Sequence, residues 1–453
     1  MSPFDRQHLL LTLGLVLTVA AVAFETLAVA TILPAVVAEL GGIHLYGWAF
    51  SAFLLAQLVA IVIAGLVADR RGPGLPFACG VILFAAGLLV GGLAPSMLVL
   101  IAGRALQGLG GGAINAIAYV AIGRGYPDEA RPRMLALLST AWVVPGLVGP
   151  ALAGVIAGGF GWRAVFLALA PLPLLTGLLA FPQVRTMPAG TPAPDARQRT
   201  LSAVVLAGGA GLFLAGLGNG QPGPAVAMIV VGLALLAPAL RRLLPPGTLR
   251  AAPGLPATIA VMGLLNLAFF GVDVFVPLSL VEVRGTSVAF AGIALTAATV
   301  AWTGGSWIQA RTADQVSRRA MTRLGVTLLG GSFLAMMAVL FPAVPLLVGV
   351  VGWGIAGLGM GLAYTTLSLA MLELAAPGQE GEGSASLNLA AVLGSGFGAG
   401  IGGAFVALLH QEGEPLTQAL LVQDGVMLGV AVVAFVAAQG LPAVSPKLAG
   451  MRA

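Results

Sequence analysis

Residues 9–34 read LLLTLGLVLTVAAVAFETLAVATILP. The run is longer than the roughly 20 apolar residues that cross a bilayer core, and its sole charge is Glu25. A carboxylate at bilayer depth is costly to keep there, which marks it as a candidate proton or cation site. Further apolar stretches lie at 46–67, 76–94, 97–122, 136–158, 163–181, 201–217, 224–240, 256–280, 288–309, 323–341, 345–371, 384–408 and 421–441, giving fourteen in all.

The whole composition agrees with that first run. Hydrophobic residues make up 59% of the 453 residues, charged ones 8%, and the mean hydropathy is +1.03. The expected class is therefore an all-α polytopic membrane protein. The ten-residue alternations of a lipid-facing barrel are absent from the sequence. The 65 Gly and 29 Pro suit membrane helices, whose neighbours can satisfy the freed backbone groups. Cys79, the single cysteine, lies in an apolar run and is expected to pack in the core. The first run has only Asp5, Arg6 and His8 before it and no small-residue cleavage pattern, so it reads as a retained helix.

Charge placement sets the topology. With a cytoplasmic N-terminus, all but three of the 21 Lys and Arg residues fall in cytoplasmic loops or tails, Arg6, Lys447 and Arg452 among them. The exceptions are Arg104 inside a span, and Arg163 and Arg284 on the other side. The excess of positive charge thus reports orientation; no nucleic-acid partner is expected. The pair 201–217 and 224–240, joined by NGQPGP, is read as a spanning hairpin. The Pro- and Gly-rich connection near 182–200 separates a six-helix half, 1–181, from the remainder of the chain. The hairpin and its following loop occupy 201–254, a second six-helix bundle 255–441, and a cytoplasmic tail 442–453.

Buried polar residues carry the functional reading. For Glu25, burial without a fixed cationic partner favours the protonated carboxyl, so that it can bind and release a proton. A hydrogen bond made only for packing is the plainer alternative. Asp273, four residues before Pro277, is the other acid well inside a span, and Asn266 lies seven residues earlier on the same helical face. The pair suggests a polar stripe turned toward a cavity, while a bond from Asp273 to Asn or Thr of another helix is the structural alternative. Arg104 opens GRALQGLGGGAINAIAYV, with Gln107, Gly108 and Gly111 on its face, and either assists proton movement or ties helices together. Pro145 and Pro150, with Gly146, Gly149 and Gly154, allow the fifth span to bend against a partner. Gly357 and Gly361 form a similar small-residue face. The turn GLVADRRGPG holds Asp69, Arg70 and Arg71, which either lock helix ends in one conformation or simply anchor the positive-inside face. Glu39 and Asp424, near the outer ends of spans, read as boundary residues solvated by water or headgroups. The three histidines show no zinc spacing, and no nucleophile and base or phosphate loop stands in suitable context, so neither a metal nor an enzyme is expected.

Taken together these motifs resemble the major facilitator superfamily, specifically its fourteen-helix drug:proton antiporter branch. GLVADRRG, with Gly65, Asp69, Arg70 and Gly72, is similar to the family's loop motif between helices 2 and 3. RALQGLGGG, with Arg104, Gln107 and Gly108, is similar to the helix-4 motif, whose arginine the family associates with proton transfer. PGLVGPALAG, with Gly149, Pro150 and Gly154, resembles the helix-5 antiporter motif, and FGWRAVF, with Trp162 and Arg163, the start of helix 6. The helix-1 pattern of the branch usually places Asp, Thr and Asn before Leu-Pro. Here Glu25 takes the acid position, Leu27 and Ala30 replace Thr and Asn, and Leu33 and Pro34 keep the end. Gln309 stands where the first-half loop motif has Asp69.

The resemblance implies two pseudo-symmetric six-helix bundles with the hairpin inserted, alternating access, and the proton as coupling ion with no other cofactor. Glu25, Asp273 and Arg104 are the expected proton-coupling residues. Gly65, Asp69, Arg70, Gly72, Gly149, Pro150 and Gly154 would form the conformational switch. Cargo is expected beside Phe24, Asn115, Trp142, Asn266, Phe269, Phe270 and Asp273, a setting that suits a lipophilic compound, cationic ones included. The expected location is the plasma membrane, a bacterial inner membrane, with both termini cytoplasmic and a monomer as the working unit. Two readings compete: export of an amphiphilic lipid or glycolipid, and a non-transporting membrane scaffold or sensor.

Overall fold

The computed structural model describes residues 8–127, 129–190, 196–376, 380–411 and 413–443. Asp5, Arg6, Lys447 and Arg452, the middle of the 182–200 connection and most of the 442–453 tail lie outside the described residues. Among the described residues there are fourteen helices long and apolar enough to cross a membrane, and no strand. We number them α1 (Leu9–Leu40), α2 (Trp48–Arg71), α3 (Gly74–Gly92), α4 (Met97–Gly125), α5 (Arg131–Phe160), α6 (Trp162–Val184) and α7 (Ala196–Leu217). They continue as α8 (Pro222–Leu243), α9 (Leu255–Val283), α10 (Val288–Thr312), α11 (Arg318–Val339), α12 (Leu347–Leu374), α13 (Glu380–Gln411) and α14 (Leu416–Ala437). Several helices overrun the apolar runs that announce them, α1 reaching Leu40 and α4 Gly125. A hydrogen-bond ladder does not stop where apolarity does; it stops at a cap or a breaker.

Those stops are local. Ser96, Ser287 and Ser317 accept the backbone N–H of Val99, Phe290 and Ala320 at the starts of α4, α10 and α11. Gly72, at φ 84°, ends α2 in a conformation that costs other residues strain, and Gly161, at φ 82°, does the same between α5 and α6.

The chain divides into two compact units, one ending at Gly211 and one beginning at Leu212, so the dividing line falls within α7. In the first unit α4 packs against α2 and α3, α1 against α5 and α6, and α3 against α6. In the second unit α12 packs against α10 and α11, α9 against α13 and α14, and α11 against α14. One pairing scheme is therefore written twice, with α9–α14 repeating α1–α6. Small residues enable it in both units. Methyl groups at Gly108 and Gly112 of α4 would overlap the carbonyl oxygens of Phe53 and Gln57 on α2. The same would occur between Gly357 and Gly361 of α12 and the carbonyls of Ala298 and Trp302 on α10. The run GLGGG thus serves packing, with Gly110 set against Phe84 of α3.

Cys79 departs from expectation: it is exposed on α3 and not packed in the core. Alternate faces of a membrane helix look to lipid, so apolar context alone cannot place a thiol in the core.

Candidate functional site

In the first unit the chemistry gathers around Arg104. Both Glu25 on α1 and Arg104 on α4 are 1% exposed. Arg104 Nη1 donates to Glu25 Oε1 and to Gln107 Oε1, and Nε donates to the Ala49 carbonyl of α2 at 2.9 Å. The guanidinium lies 4.4 Å from the centre of the Phe53 ring. One side chain thereby ties α1, α2 and α4 together. The expectation that Glu25 lacks a fixed cationic partner is corrected: the fold supplies Arg104, 79 positions away in sequence. Among the described residues, two buried atoms at this centre, Glu25 Oε2 and Gln107 Nε2, have no hydrogen-bond partner. A buried ion pair loses the hydration of both charges, so its presence argues only weakly for stability.

Elsewhere in the first unit Phe24 lies over Gly149, where an added Cβ would sit 3.5 Å from the ring, and Pro150 and Gly154 are buried in α5. Asn115 is half-buried, and Trp142 is 40% exposed.

At the far end of α2, Asp69 Oδ1 accepts from Arg124 Nη2 at 2.6 Å, while Arg124 Nη1 donates to the carbonyls of Ala68 and Pro188, both at 3.1 Å. The partner of Asp69 is thus on α4, and not among the loop's own arginines; Arg70 and Arg71 are exposed. Gly65 has open space around it, and Gly72 faces the Met187 carbonyl. The segment after α6 therefore lies across the loop between α2 and α3. In the second unit Arg318 Nε and Nη2 donate to Glu373 at 3.0 and 2.6 Å, joining α11 to α12. Gln309, at the position corresponding to Asp69, is buried with Nε2 unpartnered. Because the Asp69–Arg124 pair is partly exposed, Arg124→Gln should alter unfolding stability by less than about 1 kcal/mol. It should nonetheless slow transport several-fold, because the clamp on α2, α4 and the segment after α6 is lost. Thermal unfolding and uptake into vesicles, measured side by side, check this.

Asp273 ends the regular part of α9. Helix runs from Leu255 to Asp273, is interrupted at 274–275, resumes over Val276–Leu278 and closes in a π-turn, Ser279–Val283. The cause is Pro277, whose missing N–H cannot bond the Asp273 carbonyl and whose ring disfavours helix at the preceding turn. Asp273 is half-buried, and its Oδ1 accepts from Trp353 Nε1 of α12 at 3.0 Å. Trp353, fully buried, stacks on Phe269 at 5.2 Å and on Phe333 at 6.4 Å. Phe269 meets the edges of Phe270 and Trp302, and Trp302 approaches Tyr364 at 5.7 Å. Phe270, Trp302, Tyr364 and Asp273 are the half-buried members, while Phe269 at 3% lies behind them.

Two expectations for this unit are corrected. Asn266 is 3% exposed, and its Nδ2 donates back to the Met262 carbonyl of its own helix at 2.8 Å, so it does not form a polar stripe with Asp273. Asp424, expected at a solvated boundary, is 2% exposed. Glu39 does lie at a helix end, where it accepts from Trp162 Nε1 at 2.8 Å and pairs with Arg163. Sequence patterning gives no role to Trp302, Trp353, Tyr364 or Arg124. Tryptophan is scarce, six in the chain, and the placing of three of the six, Trp302, Trp307 and Trp353, on the packed helices α10 and α12 is the available signal.

A doubled six-helix pairing scheme of bilayer-length helices, with a charged pair sealed inside the first unit, is an architecture that multi-pass membrane transporters use. The family model of the Major Facilitator Superfamily matches residues 13–399, and the chain belongs to that family; its fourteen spans fit the fourteen-helix drug:proton antiporter branch. It is 30% identical over 400 residues to a protein of Mycobacterium tuberculosis (strain ATCC 25618 / H37Rv) described as a probable multidrug-efflux transporter, covering 83% of each chain. A multidrug transporter of Bacillus subtilis (strain 168) is 30% identical over 171 residues, 38% of this chain and 31% of that one. Among solved structures, a bacterial homolog of the human lysosomal transporter Spinster, inward-facing and unoccupied, shares the fold with a TM-score of 0.70. Identity there is 15%, with 95% of this chain and 97% of that chain covered.

Proposed function

We propose that the protein is a proton-coupled exporter of lipophilic drugs and toxic compounds, cationic ones included, working by alternating access in a bacterial inner membrane with both termini cytoplasmic. The observation that carries this reading is the sealed Glu25–Arg104–Gln107 centre, with one carboxylate oxygen and one amide nitrogen left unpartnered. A proton reaching Glu25 from outside cancels the negative charge that holds Arg104, so the ion pair between α1 and α4 is reduced to a hydrogen bond from the still-charged guanidinium to a neutral carboxyl, and α1 is free to part from α4. Return of the proton to the cytoplasm restores the pair, and the two states alternate with cargo release. Relatives described as multidrug transporters support the cargo class.

On the cargo side, the half-buried Phe270, Trp302 and Tyr364 connect through Phe269 and Trp353 to the Asp273 carboxylate, an aromatic and acidic chemistry that suits lipophilic cations. Trp302→Ala should raise the apparent KM for such cations about tenfold, the loss of one good cation–π and stacking contact of roughly 1–2 kcal/mol. Transport assays across a concentration series read this directly. Trp302→Phe should recover most of it.

The function is tested in proteoliposomes with an imposed pH gradient and tetraphenylphosphonium as cargo. Cargo-triggered proton flux in the wild type, lost in Glu25→Gln, is the expected result. Cargo movement indifferent to the gradient and to Glu25→Gln would instead favour facilitated flipping, and fluorescent lipids in the same assay separate a lipid cargo from a drug.

A further inference from the structure

Asp424 is a buried acid to which the coupling scheme gives no role. It lies eight residues inside α14, is 2% exposed, and its carboxyl makes no hydrogen bond or ion pair among the described residues. Its neighbour Gln423 is fully buried; Nε2 donates to the Gly271 carbonyl of α9 at 2.5 Å, and Oε1 has no donor. An acid without a partner and an acceptor without a donor thus stand next to each other in sequence at one depth.

Helix register places Asp424 in the fold. Gly254 N donates to the Gly440 carbonyl at 2.9 Å and Met427 packs on Gly271, so α14 runs antiparallel to α9. Arg323 lies over Phe435 at 4.6 Å and Leu428 packs on Gly330, so α14 is antiparallel to α11 as well. Asp424 precedes Met427 by three residues and Leu428 by four, one turn along the seam between α9 and α11. That turn is level with the interruption of α9 at 274–275.

Among the described residues, no charge on the packed elements compensates it. On α9 the sole titratable group near this depth is Asp273, bonded to Trp353. On α11, Arg318 pairs with Glu373, Arg319 donates to the Leu441 carbonyl, and Arg323 is engaged by Phe435, all at the opposite end of α14. On α13, Glu382 and His410 are exposed near the helix ends, and Glu282 of the π-turn is exposed. An isolated carboxylate in such surroundings is far costlier than the neutral acid.

We propose that Asp424, with Gln423 beside it, is a second protonation site of the transporter, holding a proton in this conformation and exchanging it when the interrupted part of α9 moves against α14. Gln423 is the positioning residue: its bond to the Gly271 carbonyl links the site to the segment of α9 that can move. Its role in the transport cycle rests on the proton-coupled reading, whereas the protonation itself does not. With one proton on Glu25 and one on Asp424, export of a monovalent cation against two entering protons moves one net positive charge inward per cycle. With Asp424 neutralised, one cation exchanges for one proton and no net charge moves.

Two measurements test this. In lipid nanodiscs, infrared absorption should show a protonated-carboxyl band that Asp424→Asn removes, Glu25→Gln leaves, and rising pH abolishes reversibly. Asp424→Glu, which retains a titratable group, should shift the band, and it serves where the Asn variant fails to fold. A band untouched by both Asp424 variants, or unmoved by pH while the protein stays folded, overturns the proposal whatever the transport result. In proteoliposomes loaded with tetraphenylphosphonium, Asp424→Asn should lose the response to an imposed membrane potential, keep the response to a pH gradient, and lower the proton-to-cargo ratio by one. An unchanged ratio and voltage response overturn the proposal. A wild type indifferent to the pH gradient sinks the coupled-export reading instead, and the infrared titration then still decides whether Asp424 exchanges a proton.

Discussion

Arg104→Met is expected to cost about 3–5 kcal/mol of stability, because it leaves Glu25 sealed in the first unit without a counter-charge. Nothing else bonded there can replace it: the Ala49 carbonyl and Gln107 Oε1 are both acceptors, and they lose their shared donor together with Glu25. The double variant Glu25→Gln, Arg104→Met removes both charges and should recover most of the loss, since a buried pair replaced by neutral groups of similar size is often neutral or stabilising. Transport driven by a pH gradient should stay lost in the double variant. A pair kept for packing would be expendable once both charges are gone, whereas a pair kept for coupling would leave a folded protein that no longer answers to protons. Thermal unfolding of purified protein in detergent gives the first quantity, and gradient-driven uptake in proteoliposomes gives the second. Recovery of coupled transport in the double variant would move the coupling group away from Glu25.

The second large effect is steric. Gly357→Ala should destabilise the second unit by about 3 kcal/mol or more, because the new methyl group falls on the Ala298 carbonyl oxygen. That oxygen is part of the α10 backbone and cannot swing aside, so α10 and α12 must separate along their length. Gly108→Ala should act likewise in the first unit against the Phe53 carbonyl. Gly331, with nothing within 4 Å, is the matched control, where alanine should be tolerated and stabilise its helix slightly. Yield of monodisperse protein and its melting temperature distinguish the three variants. Equal behaviour would mean that the close helix approach is not what these glycines provide.

Much of the fold was legible along the chain. Each span announces itself as an uninterrupted apolar run, and in a bilayer such a run has few options: its backbone groups must bond to one another, so it becomes a helix. The serine caps, Gly72 and Pro277 are likewise local, acting through the few residues beside them. The candidate acid Glu25 was visible for the same reason, since a carboxylate stands out where nothing else is charged. Its partner was partly visible, because Arg104 was the sole basic residue placed within a span, yet nothing along the chain joins the two.

The apolar pattern along the chain establishes fourteen membrane spans and their approximate positions, and it singles out Glu25, Arg104 and Asp273 as rare polar groups within them. Which groups meet is settled by the packing of the helices. It paired Glu25 with Arg104 and Asp69 with Arg124, turned Asn266 back on its own helix, buried Asp424 and set Trp353 against Asp273. The physical reason is that apolarity is a one-dimensional property that a single helix can satisfy alone. A buried charge or aromatic ring is satisfied by groups on other helices, and which groups those are depends on how closely small residues such as Gly108 and Gly357 let the helices approach.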